Sequence, residues 1–449
     1  MKKLVMVLAV FAALALALPA TAADVKIKGD FNNRFMIHTN HFDWVKGAGE
    51  NSATLDDGNV NETFGEAKYR MWFDAATNDG KVKGVMAFEV GSLKYGDSAK
   101  KAGYSGDGIN FETRWLYTQF QLPNCENKAQ FTMGLQPVSV NKYLWKETAM
   151  GVIFDGSANG VDYQLGWIRP YNDPVADEND DAEDLDAFIG RVNFKPAAGL
   201  KAGIFALYMQ GDDDNEAVGG MPTAASYEVK KFNNNYDLTL LTIGTDGSFG
   251  KDNFFANWDL MYQDGSVDEI SGAEDQDLAA WFGHVDLGYK MDNWKFTYTF
   301  WYASGDDDAT DDDLDGFISV DVDTFDNICL FEGGFTDDNY FSERPYLLDK
   351  GFIMNKLAAD YKASKKLTLG IAGMYMMTAE DIEYATYKDD EIGFEVDAYL
   401  KYMLYDNLEF AVNAGYLFAG DALDYFEADQ DGSADEDIFI STARVRYKF

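Results

Sequence analysis

Arg444, Arg446 and Lys448 stand two apart near the carboxyl terminus, with Val445, Tyr447 and Phe449 in the intervening places. The same spacing recurs at the other end of the chain, in Lys26, Lys28, Asp30, Asn32 and Arg34, then in Glu66, Lys68, Arg70 and Asp74, and in Glu112 and Arg114. On an extended strand alternate residues share a face, so each set forms one charged stripe backed by an apolar one. A stripe of fixed guanidinium and ammonium groups makes and breaks no bonds. It orders water and sorts passing solutes by charge and dipole. The plainer reading is that these cations pair with carboxylates across strands and simply solvate the face; the two readings are compatible.

Other constellations are weaker. No G-x-S-x-G elbow occurs, since Gly96-Asp97-Ser98-Ala99-Lys100 lacks the second glycine. Three histidines without partner residues make a poor hydrolase, so no enzyme is expected. His38 and His41, three apart, fall on opposite faces of a strand and read as surface residues, while His284 points beside Asp286 without a third ligand. Asp311, Asp313 and Asp315 before Gly316 match the first half of an EF-hand loop, but position twelve is Val322 and no flanking helices are expected. A looser calcium site there, or solvated acids bridged by divalent ions to lipopolysaccharide, are the open alternatives; Asp429 and Asp431 are fainter still. No other cofactor is implied. A net charge of −40 argues against nucleic acid.

The elements that must carry the stripes are strands. Leu408, Phe410, Val412, Ala414, Tyr416 and Phe418 alternate with Glu409, Ala411, Asn413 and Gly415. Ile392 to Leu404 does the same, with only Tyr405-Asp406-Asn407 between the two runs. Similar alternation marks Val25 to Ile37, Tyr69 to Ala75, Phe188 to Phe194, Phe254 to Tyr262, Trp281 to Tyr289, Trp294 to Tyr302 and Leu367 to Met377. Short turns alternate with nine longer acidic stretches, roughly 39–63, 92–108, 138–150, 169–186, 211–235, 264–277, 304–350, 379–389 and 420–435. Period-two segments of about ten residues, with short turns on one side and long loops on the other, describe an all-β transmembrane antiparallel barrel. Nine long loops give 18 strands with both termini on the turn side, or 16 if the short segment Met150 to Asp155 and one neighbour are not strands.

Lys2 and Lys3, an apolar run from Leu4 to Leu18 and small residues to Ala23 form an export signal, cleaved after Ala22. The apolar run is short for a spanning helix, which needs about 20 residues. Residues 1–22 are therefore the signal and 23–449 one barrel of net charge −42, since two lysines leave and no acid does. Aromatics reach 15%, with 33 Phe, 26 Tyr and 9 Trp, and they gather near strand ends, where Tyr and Trp favour a membrane interface. A soluble β-sandwich or solenoid is the competing class. Cys125, in a turn, and Cys329, in the largest loop, would lie at opposite ends of a barrel and stay unbonded unless that loop plunges into the bore.

The terminal Phe449, the loop order and the segment Gly134-Leu135-Gln136-Pro137 followed by Val138 to Asp155 resemble the general porins of the bacterial outer membrane. The acidic loops and terminal strands also look like the homotrimeric porins of sulfate-reducing bacteria. The resemblance implies an inward-folded third loop near 138–155 that places Glu147 and Asp155 opposite Arg34, Arg70, Arg114, Arg444 and Arg446, with Lys68 in the same stripe. It also implies a homotrimer in lipid and lipopolysaccharide that passes small hydrophilic solutes and ions. General porins have 16 strands, so a count of 18 leaves room for a substrate-specific channel, whose mark would be a file of lumen aromatics (Trp72, Trp301, Tyr399). A structural or adhesive barrel plugged by loop 304–350 is the third possibility.

Overall fold

A computed structural model describes residues 24–40, 61–96, 109, 111–125, 128–171, 185–211, 236–269, 275–308, 311–320, 328–329, 349–427, 430–434 and 436–449. The export signal, His41 and Asp429 lie outside the described residues. The first six strands are β1 (Asp24–Thr39), β2 (Glu62–Ala76), β3 (Val82–Lys94), β4 (Glu112–Gln121), β5 (Ala129–Asn141) and β6 (Trp145–Ala158). Next come β7 (Val161–Tyr171), β8 (Leu185–Ala197), β9 (Leu200–Gly211), β10 (Tyr236–Lys251), β11 (Phe254–Glu269) and β12 (Gln276–Met291). The last six are β13 (Trp294–Ala303), β14 (Phe352–Lys362), β15 (Leu367–Tyr384), β16 (Tyr387–Tyr405), β17 (Leu408–Ala419) and β18 (Ile438–Lys448). A further two-residue bridge, Asp313–Leu314, pairs in parallel with β12 at Asp277 and Leu278.

Each of the 18 strands pairs antiparallel with the next, and β18 returns to β1 through Asp30↔Lys448 to Thr39↔Phe439. Phe449 completes the seam: its N–H donates to the Gly29 carbonyl at 3.1 Å and its carbonyl accepts from the Gly29 N–H at 3.0 Å. The result is a closed antiparallel barrel. Closure is what a sheet needs in lipid, where an unpaired backbone edge finds no water. The turn end is tight because its residues tolerate left-handed backbone: Asn159 and Gly160 both take positive φ, 53° and 80°, and Asp252 and Asp292 do so at 54° and 53°.

The outer face carries the apolar half of every alternation. Leu357 is 68% exposed, Leu165 58% and Ile204 57%, which water would not favour and lipid does. Aromatic pairs band this face at both ends. Toward the turns lie Phe31 with Tyr69 (4.9 Å) and Phe449 (5.6 Å), and Trp294 with Tyr361 (4.6 Å); toward the loops lie Phe35 with Tyr95 (5.5 Å) and Tyr262 with Trp281 (4.5 Å). Asn33, a polar group on this face, accepts from the Tyr69 hydroxyl at 2.8 Å and the Tyr95 hydroxyl at 3.2 Å.

Two long loops expected from the sequence are in fact tight. Residues 138–150 continue β5 and β6 around a three-residue turn, Lys142 to Leu144, and 379–389 is the β15–β16 hairpin turning at Ala385–Thr386. Both stretches break the outward apolar alternation and so read as loops, but one leaves the wall as a paired hairpin and the other extends the β15–β16 ladder with acidic residues that suit water. The Met150 to Asp155 segment is part of a full 14-residue strand, which settles the count at 18.

Because Leu357 faces outward between the bands, Leu357→Arg should destabilise the lipid-embedded barrel by about 2–4 kcal/mol. Denaturant unfolding in phospholipid vesicles would measure it, with the inward neighbour Lys356→Arg as the near-neutral comparison.

Candidate functional site

At Gly134 the wall opens. Pairing of β4 with β5 stops at Leu116↔Leu135, and pairing of β6 with β7 begins only at Gly151↔Ile168. Residues 136–149 between these points pair solely with each other along the ladder, so the hairpin leaves the wall. Gly134 permits the departure: its φ is +119°, and a Cβ there would meet the Leu116 carbonyl oxygen at 2.5 Å. Pro137 follows, where no neighbouring strand asks for an N–H. The Gln136 carboxamide holds the root, donating to the Gly151 carbonyl at 2.8 Å.

The hairpin projects about 20 Å, at roughly 3.3 Å per residue, and its tip docks on the inner wall of β8 to β13. Tyr143 is 1% exposed, with ring centroids 5.0 Å from Phe282, 4.6 Å from His284 and 4.9 Å from Trp301. The Asn141 amide donates to Asp259 at 2.8 Å and Asp246 at 3.2 Å. Arg191 donates to the Val140 carbonyl and grips Asp246 with two N–H groups at 2.8 and 2.6 Å. His284 is buried between Asp259 (3.3 Å) and Asp286 (3.7 Å), as its place in the sequence suggested for the latter.

The β13–β14 connection adds a second layer. Phe317 lies 5.1 Å from Phe282, and the Val320 N–H donates to the Leu144 carbonyl at 2.8 Å. Leu207, Met209, Leu240, Phe282, Trp301 and Met354, all lumen-facing by register, are thereby buried in one apolar cluster with the hairpin and this connection. Inward apolar side chains on β7 to β15 are thus core of an inner packing unit. Beneath the hairpin tip a cavity of about 1060 Å³ remains on the turn side, lined by Lys142, Arg191, Lys195, Lys201, Asp162 and Asp246 among others.

The opposite arc keeps the charged stripe, and each basic residue has a wall carboxylate. Arg34, 1% exposed, pairs with Glu66 and also donates to Ser92. Arg446 takes Asp30 at 2.5 Å, Arg444 takes Glu409 at 2.6 Å, and Lys28 takes Asp74 at 2.8 Å. Three cations share one acid: Lys68 (3.1 Å), Arg70 (2.5 Å) and Arg114 (2.7 Å) all meet Glu89. One rung toward the turns, Trp72 and Trp115 face the lumen over Ala87, 5.9 Å apart, and the Trp115 indole donates to Thr148 of the hairpin at 3.2 Å.

The two acids that the resemblance sets opposite this stripe sit on different parts of β6. Glu147 rides on the returning arm of the hairpin, across from Val138. Asp155 is below the departure point, on the wall part of β6, where it accepts from Gln164 at 3.0 Å; the inward segment ends at Met150 because Gly151 onward is hydrogen-bonded to β7. The lumen aromatics form no file: Trp301 is sealed under Tyr143, and the Tyr399 hydroxyl donates to Asp360 on β14. His38 is a correction too, being fully buried on the lumen side against Phe64. Glu89 and Glu409, acceptors for four of the cations, were missed by sequence reasoning; only the period-two placement of Glu89 on β3 could have signalled it.

Among the described residues no group of three or more His, Cys, Asp or Glu is spaced to hold a metal ion. Asp311 accepts from the Asp313 N–H at 3.1 Å, a local turn contact. Burial raises the Asp315 carboxyl above its usual 3.8, and Asp313, Asp306, Asp307 and Asp311 push it further the same way. Burial likewise raises Asp349. Cys125 and Cys329 are both unbonded thiols, the second fully buried inside the barrel because its connection does enter the bore.

Tyr143→Ala should weaken hairpin docking by about 3–5 kcal/mol, the cost of deleting a buried ring; hydrogen exchange should then quicken at 138–146 and stay slow in β10 to β12. A raised folded-state carboxyl binds its proton more tightly than the unfolded chain does, so its contribution strengthens on acidification and is lost as pH rises from near 3.8 through the raised value. Exchange at 311–320 should therefore slow on mild acidification, and Asp315→Asn should flatten that dependence.

No protein-family model matches the sequence, and no curated protein matches it. Solved structures do match along nearly the whole chain. The outer membrane protein OpdK from Pseudomonas aeruginosa is 10% identical with a TM-score of 0.56, covering 95% of this chain and 98% of its own. A BenF-like porin from Pseudomonas fluorescens Pf-5 is 12% identical with a TM-score of 0.55, covering 96% and 100%. OprD from Pseudomonas aeruginosa is 12% identical with a TM-score of 0.54, covering 95% of both chains. OpdK has also been solved with vanillate (11% identity, TM-score 0.53). At these identities the likeness is one of fold, and the fold is that of outer-membrane porins with 18 strands.

Proposed function

We propose that this chain forms a passive channel across the bacterial outer membrane for small hydrophilic solutes and ions, drawing anions through a bore narrowed by the 136–150 hairpin. The observation that carries the reading is the Glu89 cluster. Three cations, Lys68, Arg70 and Arg114, lie within 3.1 Å of the one Glu89 carboxylate on the lumen wall. Arg114 and Arg70 keep 23% and 17% of their side chains exposed, so this basic cluster is offered to the lumen. A low-dielectric wall behind it concentrates the field in the aqueous path. The acidic loops enrich cations at the mouth, but selection falls to the narrower zone.

The Trp72–Trp115 pair one rung away favours a second, narrower reading, a channel selective for small aromatic carboxylates. An aromatic ring would lie on the indoles while its carboxylate reaches the guanidinium N–H groups of Arg70 and Arg114. OpdK with vanillate is consistent with such a solute on this fold. A plugged, purely structural barrel would give the two partly exposed guanidiniums no solute to meet.

In planar bilayers under a salt gradient the reversal potential should show anion preference. Arg70→Gln with Arg114→Gln should lower the anion-to-cation permeability ratio by roughly twofold or more. Millimolar vanillate should block current in the parent protein and far less in Trp115→Ala. A cation-selective parent would overturn the main reading; absence of any vanillate effect would remove the narrower one.

A further inference from the structure

The β13–β14 connection is held at two points on two different walls. On the β11–β13 side, the Gln263 carboxamide binds both backbone groups of Ile318, accepting its N–H at 2.8 Å and donating to its carbonyl at 2.7 Å. On the β16–β18 side, Ile328 and Cys329 both donate their N–H groups to one oxygen of Glu395, each at 2.8 Å. Cys329 Sγ lies 3.6 Å from the Ile438 carbonyl. Strands β12 to β15 separate Gln263 from Glu395, so the same connection is fastened to two distant parts of the wall.

The second anchor is built for its occupant. Glu395 is fully buried on the lumen face of β16, where a carboxylate without donors would be costly. Two adjacent backbone N–H groups supply those donors to one of its oxygens. Opposite it, Gly415 leaves the hollow that Ile328 fills: a Cβ at 415 would fall 2.8 Å from Ile328 Cβ and 2.6 Å from Asp397 Oδ1. Burial, reinforced by Glu395 and Asp397, also holds the Cys329 thiol well above its ordinary range, so the docked thiol is both hidden and unreactive.

We propose that Glu395 is a latch that holds Ile328 and Cys329 of the β13–β14 connection against the inner wall and so sets the open cross-section of the channel at that point. It is a positioning residue, and only its electrical readout rests on the channel reading above. The test uses full-length protein in liposomes and planar bilayers, with Cys125→Ser removing the exposed thiol. Cys329 is probed with a membrane-impermeant methanethiosulfonate, and single-channel conductance is recorded in parallel.

Glu395→Ala should speed Cys329 modification by roughly tenfold or more and raise conductance by roughly twofold, as a wider bore requires. Glu395→Gln removes the charge but keeps an accepting oxygen, and should stay near the parent in both. Gly415→Val keeps Glu395 and displaces Ile328 by bulk, and should behave like the alanine variant; it also carries the test should Glu395→Ala fail to fold. Unchanged labelling and conductance in Gly415→Val and Glu395→Ala would overturn the latch. So would equal effects of Gln and Ala, which would mean that the charge alone matters. If no variant and no parent conducts while labelling follows the expected order, the channel reading falls and the latch stands.

Discussion

Everything in this molecule depends on the need to leave no backbone N–H or carbonyl without a partner in hydrocarbon. The ring of 18 antiparallel pairings meets that need, and the seam at Gly29 and Phe449 shows how closely. Closure then fixes the faces. With period two and no edge, each residue points either to lipid or to the lumen. A one-residue slip at any ladder would put Arg444 and Arg446 into hydrocarbon and Val445 and Tyr447 into the bore, so the charges hold the register as firmly as the hydrogen bonds do.

A ring of this size encloses more space than its own side chains fill, and the chain deals with the surplus unevenly. On the β7–β15 arc the inward residues are largely apolar, with Arg191, Asp246, Asp259 and His284 gathered at the hairpin tip, and the 136–150 hairpin with residues 314–320 buries them. From β17 through β1 to β4 the turn-side and middle rungs are charged and paired strand to strand. The division is efficient because an apolar lumen wall left bare would dewet and block ions, whereas a charged wall covered by the hairpin would need every partner supplied. Gly134 is the hinge between these solutions: only a residue without Cβ can take its backbone past the Leu116 carbonyl and release β5 into the bore.

The strand alternation, the turn chemistry and the terminal aromatic were legible in the sequence because they are local, each repeating within a few residues. The hairpin was half legible. Gly134-Leu135-Gln136-Pro137 marked the place, but an inward loop and an inward hairpin have similar composition, and what separates them is the pairing of Val138 with Glu147. The partners of the basic stripe were not legible at all. Arg446 meets Asp30 across 416 positions, and Arg70 and Arg114 meet at Glu89 only because β2, β3 and β4 adopt one register. His38 looked like a surface residue because its spacing from His41 says nothing of what packs over the loop end of the lumen.

The same argument separates pairing from selectivity. A cation matched by one wall carboxylate stabilises the seam and projects little field; breaking such a buried pair leaves an uncompensated charge worth several kcal/mol. Arg34 with Glu66 belongs there, since at 1% exposure it has no solvent to influence. Lys68, Arg70 and Arg114 gather on Glu89 with the two guanidiniums partly exposed, so a solute or a counter-ion can meet them from the aqueous side. A stripe that reads as six equivalent basic residues therefore divides by access to the bore: Arg34 at 1% exposure serves the wall alone, while Arg114 at 23% can also meet a passing solute.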